Sequence, residues 1–152
     1  ASALRSEEQI DSEQAERRQL TVIFCDLVGS TELASRLDPE DLRNLMRAYH
    51  ETCGCVINQY DGHIAQYLGD GVLIYFGYPS AHEDDARRAV RAGLEIVEGI
   101  ATLNARLLAQ YGVRLDVRVG IHAGLVVVGA MGIPAKREAL FRQFMEWQKR
   151  RQ

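Results

Sequence analysis

Thr21-Val22-Ile23-Phe24-Cys25-Asp26-Leu27-Val28-Gly29-Ser30-Thr31 is the stretch on which the fold turns. From Leu20 to Cys25 it is dense in β-branched and aromatic residues, the signature of a buried strand. Asp26 closes the run, where an unpaired buried charge would be costly. Leu27 to Thr31 then reads as a tight loop opening a short helix that runs to Leu37. Backbone N–H groups at such a helix start suit a phosphate, although Ser30 or Thr31 in the same place is equally read as an ordinary helix cap.

Downstream, Asp38 stands at an N-cap position, Pro39 at the first helical position, and Glu40 and Asp41 in the first turn. Leu42, Leu45, Met46, Tyr49, Cys53, Val56, Ile57 and Tyr60 recur at spacings of three and four, which predicts one long amphipathic helix. His63 to Leu68 and Val72 to Phe76 read as strands joined by a Gly69-Asp70-Gly71 hairpin turn. A second long helix is expected from about His82-Glu83-Asp84-Asp85 to Gly112, with Ala89, Val90, Leu94, Val97, Ile100, Leu103 and Leu107 facing inward. Leu115 to Ile121 alternates as a half-buried strand, and Leu125 to Val128 reads as another strand after an Ala123-Gly124 turn. The order β, α, α, β, β, α, β, β predicts an α+β fold, with helices packed on a mainly antiparallel sheet.

Hydrophobic residues make up 47% of the 152 and charged residues 26%, a globular composition. No apolar run approaches the length of a membrane span, and no secretory leader opens the chain. Three cysteines, Cys25, Cys53 and Cys55, without a CxxC pair, argue against a disulfide framework or a zinc site and for reduced thiols in a cytoplasmic protein. Cys53 and Cys55 cannot both face the core from one helix. A first residue of Ala1 rather than Met leads to the expectation of a piece cut from a longer protein. The net charge of −3 does not suggest nucleic acid. It is unevenly spread: residues 133–152 hold six Lys or Arg against two Glu, leaving the first 132 residues near −7. That tail places Leu140, Phe141, Phe144 and Met145 on one helical face and ends in Lys149, Arg150 and Arg151, so a short amphipathic helix is expected. Three domains of character follow: a polar lead-in over 1–18, a folded core over 19–132 and the basic tail over 133–152.

The candidate chemistry is a pair of carboxylates at strand ends. If the first strand lies beside the hairpin, Asp26 and Asp70 converge at one sheet edge. Two aspartates with open coordination positions suit Mg²⁺ that also binds phosphate oxygens, and two such ions assist an in-line displacement. Asp70 between two glycines also fits an ordinary turn residue. His82-Glu83-Asp84-Asp85 is read as acids answering a helix macrodipole, not as a metal cluster. His122 is expected to be packed, and His50 and His63 structural or exposed.

Three segments together resemble the class III adenylate and guanylate cyclase catalytic domain. Thr21 to Thr31 is similar to the family's first metal motif, Tyr67-Leu68-Gly69-Asp70-Gly71 to its second, and Arg118-Val119-Gly120-Ile121-His122-Ala123-Gly124 with Val127-Val128-Gly129 to the strand motif that follows. The likeness covers about residues 17 to 132, and Gly77-Tyr78-Pro79 with His82 to Asp85 is similar to bacterial members, often fused to further regions. The resemblance implies a ferredoxin-like fold that converts ATP, in preference to GTP, to the cyclic 3′,5′-monophosphate and pyrophosphate. It implies Asp26 and Asp70 as catalytic residues that hold two Mg²⁺ or Mn²⁺ ions with the backbone carbonyl of Leu27. Backbone amides of Val28, Gly29, Ser30 and Thr31 would hold the phosphates, and Gln66 stands where strict adenylate cyclases carry a base-reading Lys. An amide both donates and accepts, which would relax base selectivity.

The resemblance also implies a site at a dimer interface, with the aspartates from one subunit and a transition-state Asn and Arg from the other. That Asn and Arg pair is not found in residues 133–152, and Asn104 and Arg106 have the wrong spacing. A homodimer of this chain is therefore expected to be nearly inactive, and a complete cyclase domain is the partner that would restore turnover. The competing reading is a regulatory or dimerisation module that binds nucleotide and metal without turnover. A diguanylate cyclase is disfavoured, because the hairpin holds Leu68-Gly69-Asp70-Gly71 rather than a Gly-Gly-Asp/Glu-Glu-Phe run. For the tail, an interface helix and sequence foreign to the domain are preferred over a membrane or partner contact.

Overall fold

The computed structural model describes residues 16–128. Residues 1–15 of the 1–18 lead-in and the expected tail helix over 133–152 lie outside the described residues. Seven elements follow in the order β1 (Glu16–Leu27), α1 (Ser30–Arg36), α2 (Pro39–Gln59), β2 (His63–Leu68), β3 (Gly71–Phe76), α3 (Asp85–Tyr111) and β4 (Val117–Val128). The four strands form one antiparallel sheet in the order β2-β3-β1-β4. This is the expected α+β fold with a ferredoxin-like strand order.

Two of the differences from the sequence reading have one cause. β1 begins at Glu16, inside the stretch read as lead-in, and β4 runs unbroken through Ala123 and Gly124, where a turn was expected. Each strand is the other's template. Glu16 pairs with Val128, Thr21 with Ala123 and Leu20 with Gly124, so ladder hydrogen bonds hold the small residues extended.

Successive strand residues face opposite sides, and the sheet's two faces differ. Ile23, Cys25, Leu27, Val72, Ile74 and Phe76 point to one face, where they pack with Leu45, Tyr49, Cys53 and Ile57 of α2 and Ala89, Ala92, Ile96, Ile100, Leu103 and Leu107 of α3. Leu20, Val22, Phe24, Leu73 and Tyr75 point to the other. Cys53 is buried in the helical core and Cys55 is exposed, so the two do not share the core face. Asp38 and Pro39 occupy the predicted start of α2, although the Asp38 side chain makes no capping bond.

α3 is rotated relative to expectation. Val90, Leu94 and Val97 are 48%, 62% and 47% exposed, while Ala92, Gly93 and Ile96 are buried. Close approach to β4 selects that face. A Cβ on Gly93 would stand 3.2 Å from Ile121 Cδ1 and 3.3 Å from Val119 Cγ1, so the small residues meet the sheet. Asp85 and Arg88 fasten the helix start. Asp85 accepts from the His82 backbone N–H at 2.9 Å, and Arg88 bonds Asp84, Asp85 and the Tyr60 carbonyl. The His82-to-Asp85 acids thus serve the helix start. Gly112, at φ +67°, ends the helix.

Asn104, which matched no catalytic spacing, is a buried clamp. Its Nδ2 donates to the Leu115 carbonyl at 2.9 Å and its Oδ1 accepts from the Leu115 N–H at 2.7 Å. Asn104→Ala orphans both groups, and the expected loss is roughly 2–4 kcal/mol, read as a fall of about 5–15 °C in melting temperature.

Candidate active site

β1 carries the site to the second face, opposite the helices. Phe24 belongs to that face, so Asp26, two residues on, shares it. Directly across on β4 stands Arg118, the register partner of Asp26. Arg118 Nε donates to Asp26 Oδ1 and its Nη2 to Oδ2, each at 3.1 Å. This bidentate pair answers the burial problem that the sequence posed. The Asp26 side chain is 15% exposed and that of Arg118 is 35% exposed, so the pair is reachable from solvent. Arg118 is the residue the sequence reading missed. It lay inside a quoted motif, but only strand register could reveal its partner.

Asp70 sits in the two-residue turn between Leu68 and Gly71, which pair with each other. Gly69 takes φ +63°, a conformation that glycine adopts without strain. Val72 pairs with Cys25, and a Cβ on Gly71 would stand 3.7 Å from the Cys25 carbonyl oxygen. The turn therefore abuts the end of β1, and Cys25 feels the charge of both Asp26 and Asp70. The two carboxylates do converge at one sheet edge.

With the Leu27 carbonyl they could offer an all-oxygen donor set, the kind Mg²⁺ and Mn²⁺ prefer. Among the described residues no group of three His, Cys, Asp or Glu could hold an ion unaided. Such a set fits a cation that keeps positions open for phosphate oxygens.

The loop after β1 is built as read, with one difference. Gly29, at φ +68°, is the N-cap of α1. The Val28 N–H donates to the Asp116 carbonyl at 2.8 Å, so this amide is already engaged. Gly29, Ser30 and Thr31 carry the amides that α1 leaves without intrahelical partners.

Gln66 pairs with Leu73, which pairs with Phe24, which pairs with Gly120. One rung thus runs across all four strands, and Gln66 shares the Asp26 face. It lies two strand spacings from β1, about 10 Å. Its Oε1 is buried and finds no hydrogen-bond partner among the described residues. His122, expected to be packed, is exposed on the same face, opposite Val22.

Behind the site lies the helical side of the sheet. The Cys25 thiol lies 3.3 Å from the Tyr49 hydroxyl, both buried, and burial with the adjacent Cys25 pushes the Tyr49 phenol up. A groove of about 710 Å³ beside Arg43, Arg47, His50 and Tyr67 opens on this helical side of β2, not on the carboxylate face. The rings of His50 and Tyr67 meet at a tilt with centroids 4.6 Å apart, and His50 Nε2 is buried with no partner among the described residues. Burial lowers the His50 pKa, against an opposing pull from Asp70. A base whose pKa falls on folding leaves the unfolded chain holding more protons. Stability is therefore complete above the unfolded value of 6.5 and declines as pH falls below it toward the folded value. His50→Gln is expected to flatten that part of the profile of urea midpoints between about pH 7.5 and 5.

The family model described as the adenylate and guanylate cyclase catalytic domain matches residues 12–146. Adenylate cyclase 1 of Rhizobium meliloti is 30% identical over 116 residues, 76% of this chain and 17% of that protein. Human retinal guanylyl cyclase 1 is 26% identical over 142 residues, 93% of this chain and 12% of that protein. Among solved structures, the guanylyl cyclase Cya2 superposes with a TM-score of 0.74 at 34% identity, over 76% of this chain and 59% of that one. The adenylyl cyclase CyaB from P. aeruginosa gives 0.73 at 34% identity, over 76% and 60%. The chain thus spans about a sixth or less of these two relatives and about three-fifths of the solved domains. With its carboxylates, turn and strand register in the arrangement described, the chain belongs to the family of adenylate and guanylate cyclase catalytic domains.

Proposed function

We propose that this chain supplies the metal-binding half of a nucleotidyl cyclase site that forms at a dimer interface, with ATP as the preferred substrate over GTP. The observation that carries the reading is the convergence at one sheet edge of Asp26, at the end of β1, and Asp70, in the turn that abuts it. Two divalent ions, when bound, would supply activation of the ribose 3′-oxygen and charge neutralisation at the phosphates. Asp26, Asp70 and the Leu27 carbonyl would hold them. The amides of Gly29 to Thr31 would orient the distal phosphates. The orphaned Oε1 of Gln66 is an acceptor for an exocyclic amine such as that of adenine.

Arg118 has a place in this scheme. In the metal-free chain it neutralises Asp26, and a bound cation would compete with it. Arg118→Ala is expected to tighten Mn²⁺ binding about tenfold, since a charge-assisted pair contributes roughly 1.5–3 kcal/mol. Titration calorimetry without nucleotide measures it.

The reading is tested by assaying cyclic AMP and cyclic GMP formation with Mn²⁺ and ATP or GTP. The chain is assayed alone, then mixed with a complete cyclase domain whose own metal aspartates are replaced by Ala. Little product alone and clear product in the mixture is the expected result. No product in a mixture whose partners demonstrably associate would favour the binding-module reading.

A further inference from the structure

The groove between α2 and β2 has no part in the proposed reaction. Gln66 and Tyr67 are successive residues of β2 and face opposite sides of the sheet. Tyr67 lines the groove, so anything seated there is apart from the base-reading position. The wall that α2 supplies is basic. Arg43 and Arg47 stand one turn apart, with Cβ atoms about 6 Å from each other, and both are exposed. Neither makes an ion pair or a hydrogen bond among the described residues. Glu51, one further turn along, lines the groove too and leaves Arg47 unpaired. Two guanidinium forks on one helix face suit the oxygens of a phosphate.

The rest of the groove is aromatic and apolar. Tyr67 is 46% exposed, and its tilted contact with His50 leaves ring surface open for stacking. Met46 and Ile64 are partly buried beside it. His50 Nε2 is buried in the same groove without a partner among the described residues, a state in which few buried polar atoms are left. Arginines on the outer face of an amphipathic helix are commonly there for water alone. That reading does not account for an orphaned ring nitrogen and an open aromatic face beside them. The volume of about 710 Å³ falls within the range of small-molecule sites. We propose that this groove binds a small organic phosphate with a planar ring, of the nucleoside monophosphate class. The phosphate lies between Arg43 and Arg47, the ring stacks on Tyr67, and a polar edge of the ring meets His50 Nε2. The groove borders the turn that carries Asp70, since Tyr67 pairs with Val72 one rung from Leu68 and Gly71. The site stands whether or not the chain turns nucleotide over, and the test below measures binding without divalent ions.

Titration calorimetry of the wild-type chain with adenosine 5′-monophosphate in EDTA is expected to show one site with a Kd below about 1 mM. Arg43→Gln with Arg47→Gln should weaken binding at least about tenfold, and Tyr67→Leu about fivefold. Glu51→Gln removes the one acid on the rim and should tighten binding about threefold, an effect that a purely structural role for these residues would not produce. All four side chains are exposed, so the replacements leave the core untouched. Asp26→Ala with Asp70→Ala should not weaken binding, which separates the groove from the metal end of the sheet. Inorganic phosphate and adenosine, titrated separately, are each expected to bind at least about tenfold more weakly than the monophosphate. Absence of binding up to about 10 mM, or a Kd unmoved by the arginine replacements, would overturn the proposal. So would loss of binding in the Asp26 and Asp70 variant, or phosphate or adenosine alone binding as tightly as the monophosphate.

Discussion

Asp26→Ala and Asp70→Ala are each expected to lower cyclic nucleotide formation at least a hundredfold in the mixture with a complete domain lacking its own metal aspartates. The magnitude follows from what each residue supplies. Removing one of two carboxylates from a shared all-oxygen donor set weakens both ions, and the loss of one fixed electrostatic stabiliser typically costs about 3–4 kcal/mol in the transition state. That corresponds to a factor of about a hundred or more in rate. The two replacements should differ in a second readout. Asp26→Ala also strips Arg118 of its bidentate partner, whereas Asp70 occupies a turn. Only Asp26→Ala should therefore lower the melting temperature measurably, and by little, because the guanidinium is one-third exposed and can turn to water. Asp38→Ala is the control, a carboxylate whose side chain makes no capping bond. Full activity in both site variants would remove Asp26 and Asp70 from the reaction.

Phe76→Ala is expected to be the most damaging of the conservative core truncations. Phe76 is fully buried at the end of β3, where three parts of the helical layer meet. A Cβ on Gly62 would stand 2.8 Å from both Phe76 Cζ and Ile57 Cγ2, so the ring fills the space beneath the α2–β2 connection. The Arg88 guanidinium lies over the same ring at 5.6 Å. Deleting the ring removes its contacts and leaves a cavity that the sheet and two long helices cannot easily close. The expected loss is about 3–5 kcal/mol. For a chain of this size that is a fall of roughly 10 °C or more in melting temperature, with a matching shift in urea midpoint. A loss below about 1 kcal/mol would show that the site repacks.

Much of the fold was legible in the sequence because its local signals agree. A β-branched run ending in Asp26, a Pro39 helix start, a Gly69-Asp70 turn and a Gly112 stop each name an element by a mechanism that acts within a few residues. That Cys53 and Cys55 do not both face the core follows from helix geometry alone. The two aspartates were legible for the same reason, since each stands at the junction of a strand and a glycine-containing turn.

What the sequence could not decide depends on partners distant along the chain. Periodicity placed Val90, Leu94 and Val97 inward on α3, because it reports an apolar stripe without reporting which flank meets a neighbour. Gly93 against Val119 and Ile121 settled that by close approach. Ala123-Gly124 reads locally as a turn, yet β1 holds it extended by pairing across it. Asn104 looked like a misplaced catalytic residue until the Leu115 backbone stood beside it. Arg118 as the partner of Asp26 depends on a register linking residues 92 positions apart. The sequence by itself determined the helices, the first three strands, their order and the strand-end positions of the two carboxylates, because propensity, turn chemistry and alternation act locally. Tertiary structure alone decided which face of each element is buried and how the charges pair. Those outcomes depend on strand register and close packing, and neither is written in any one segment.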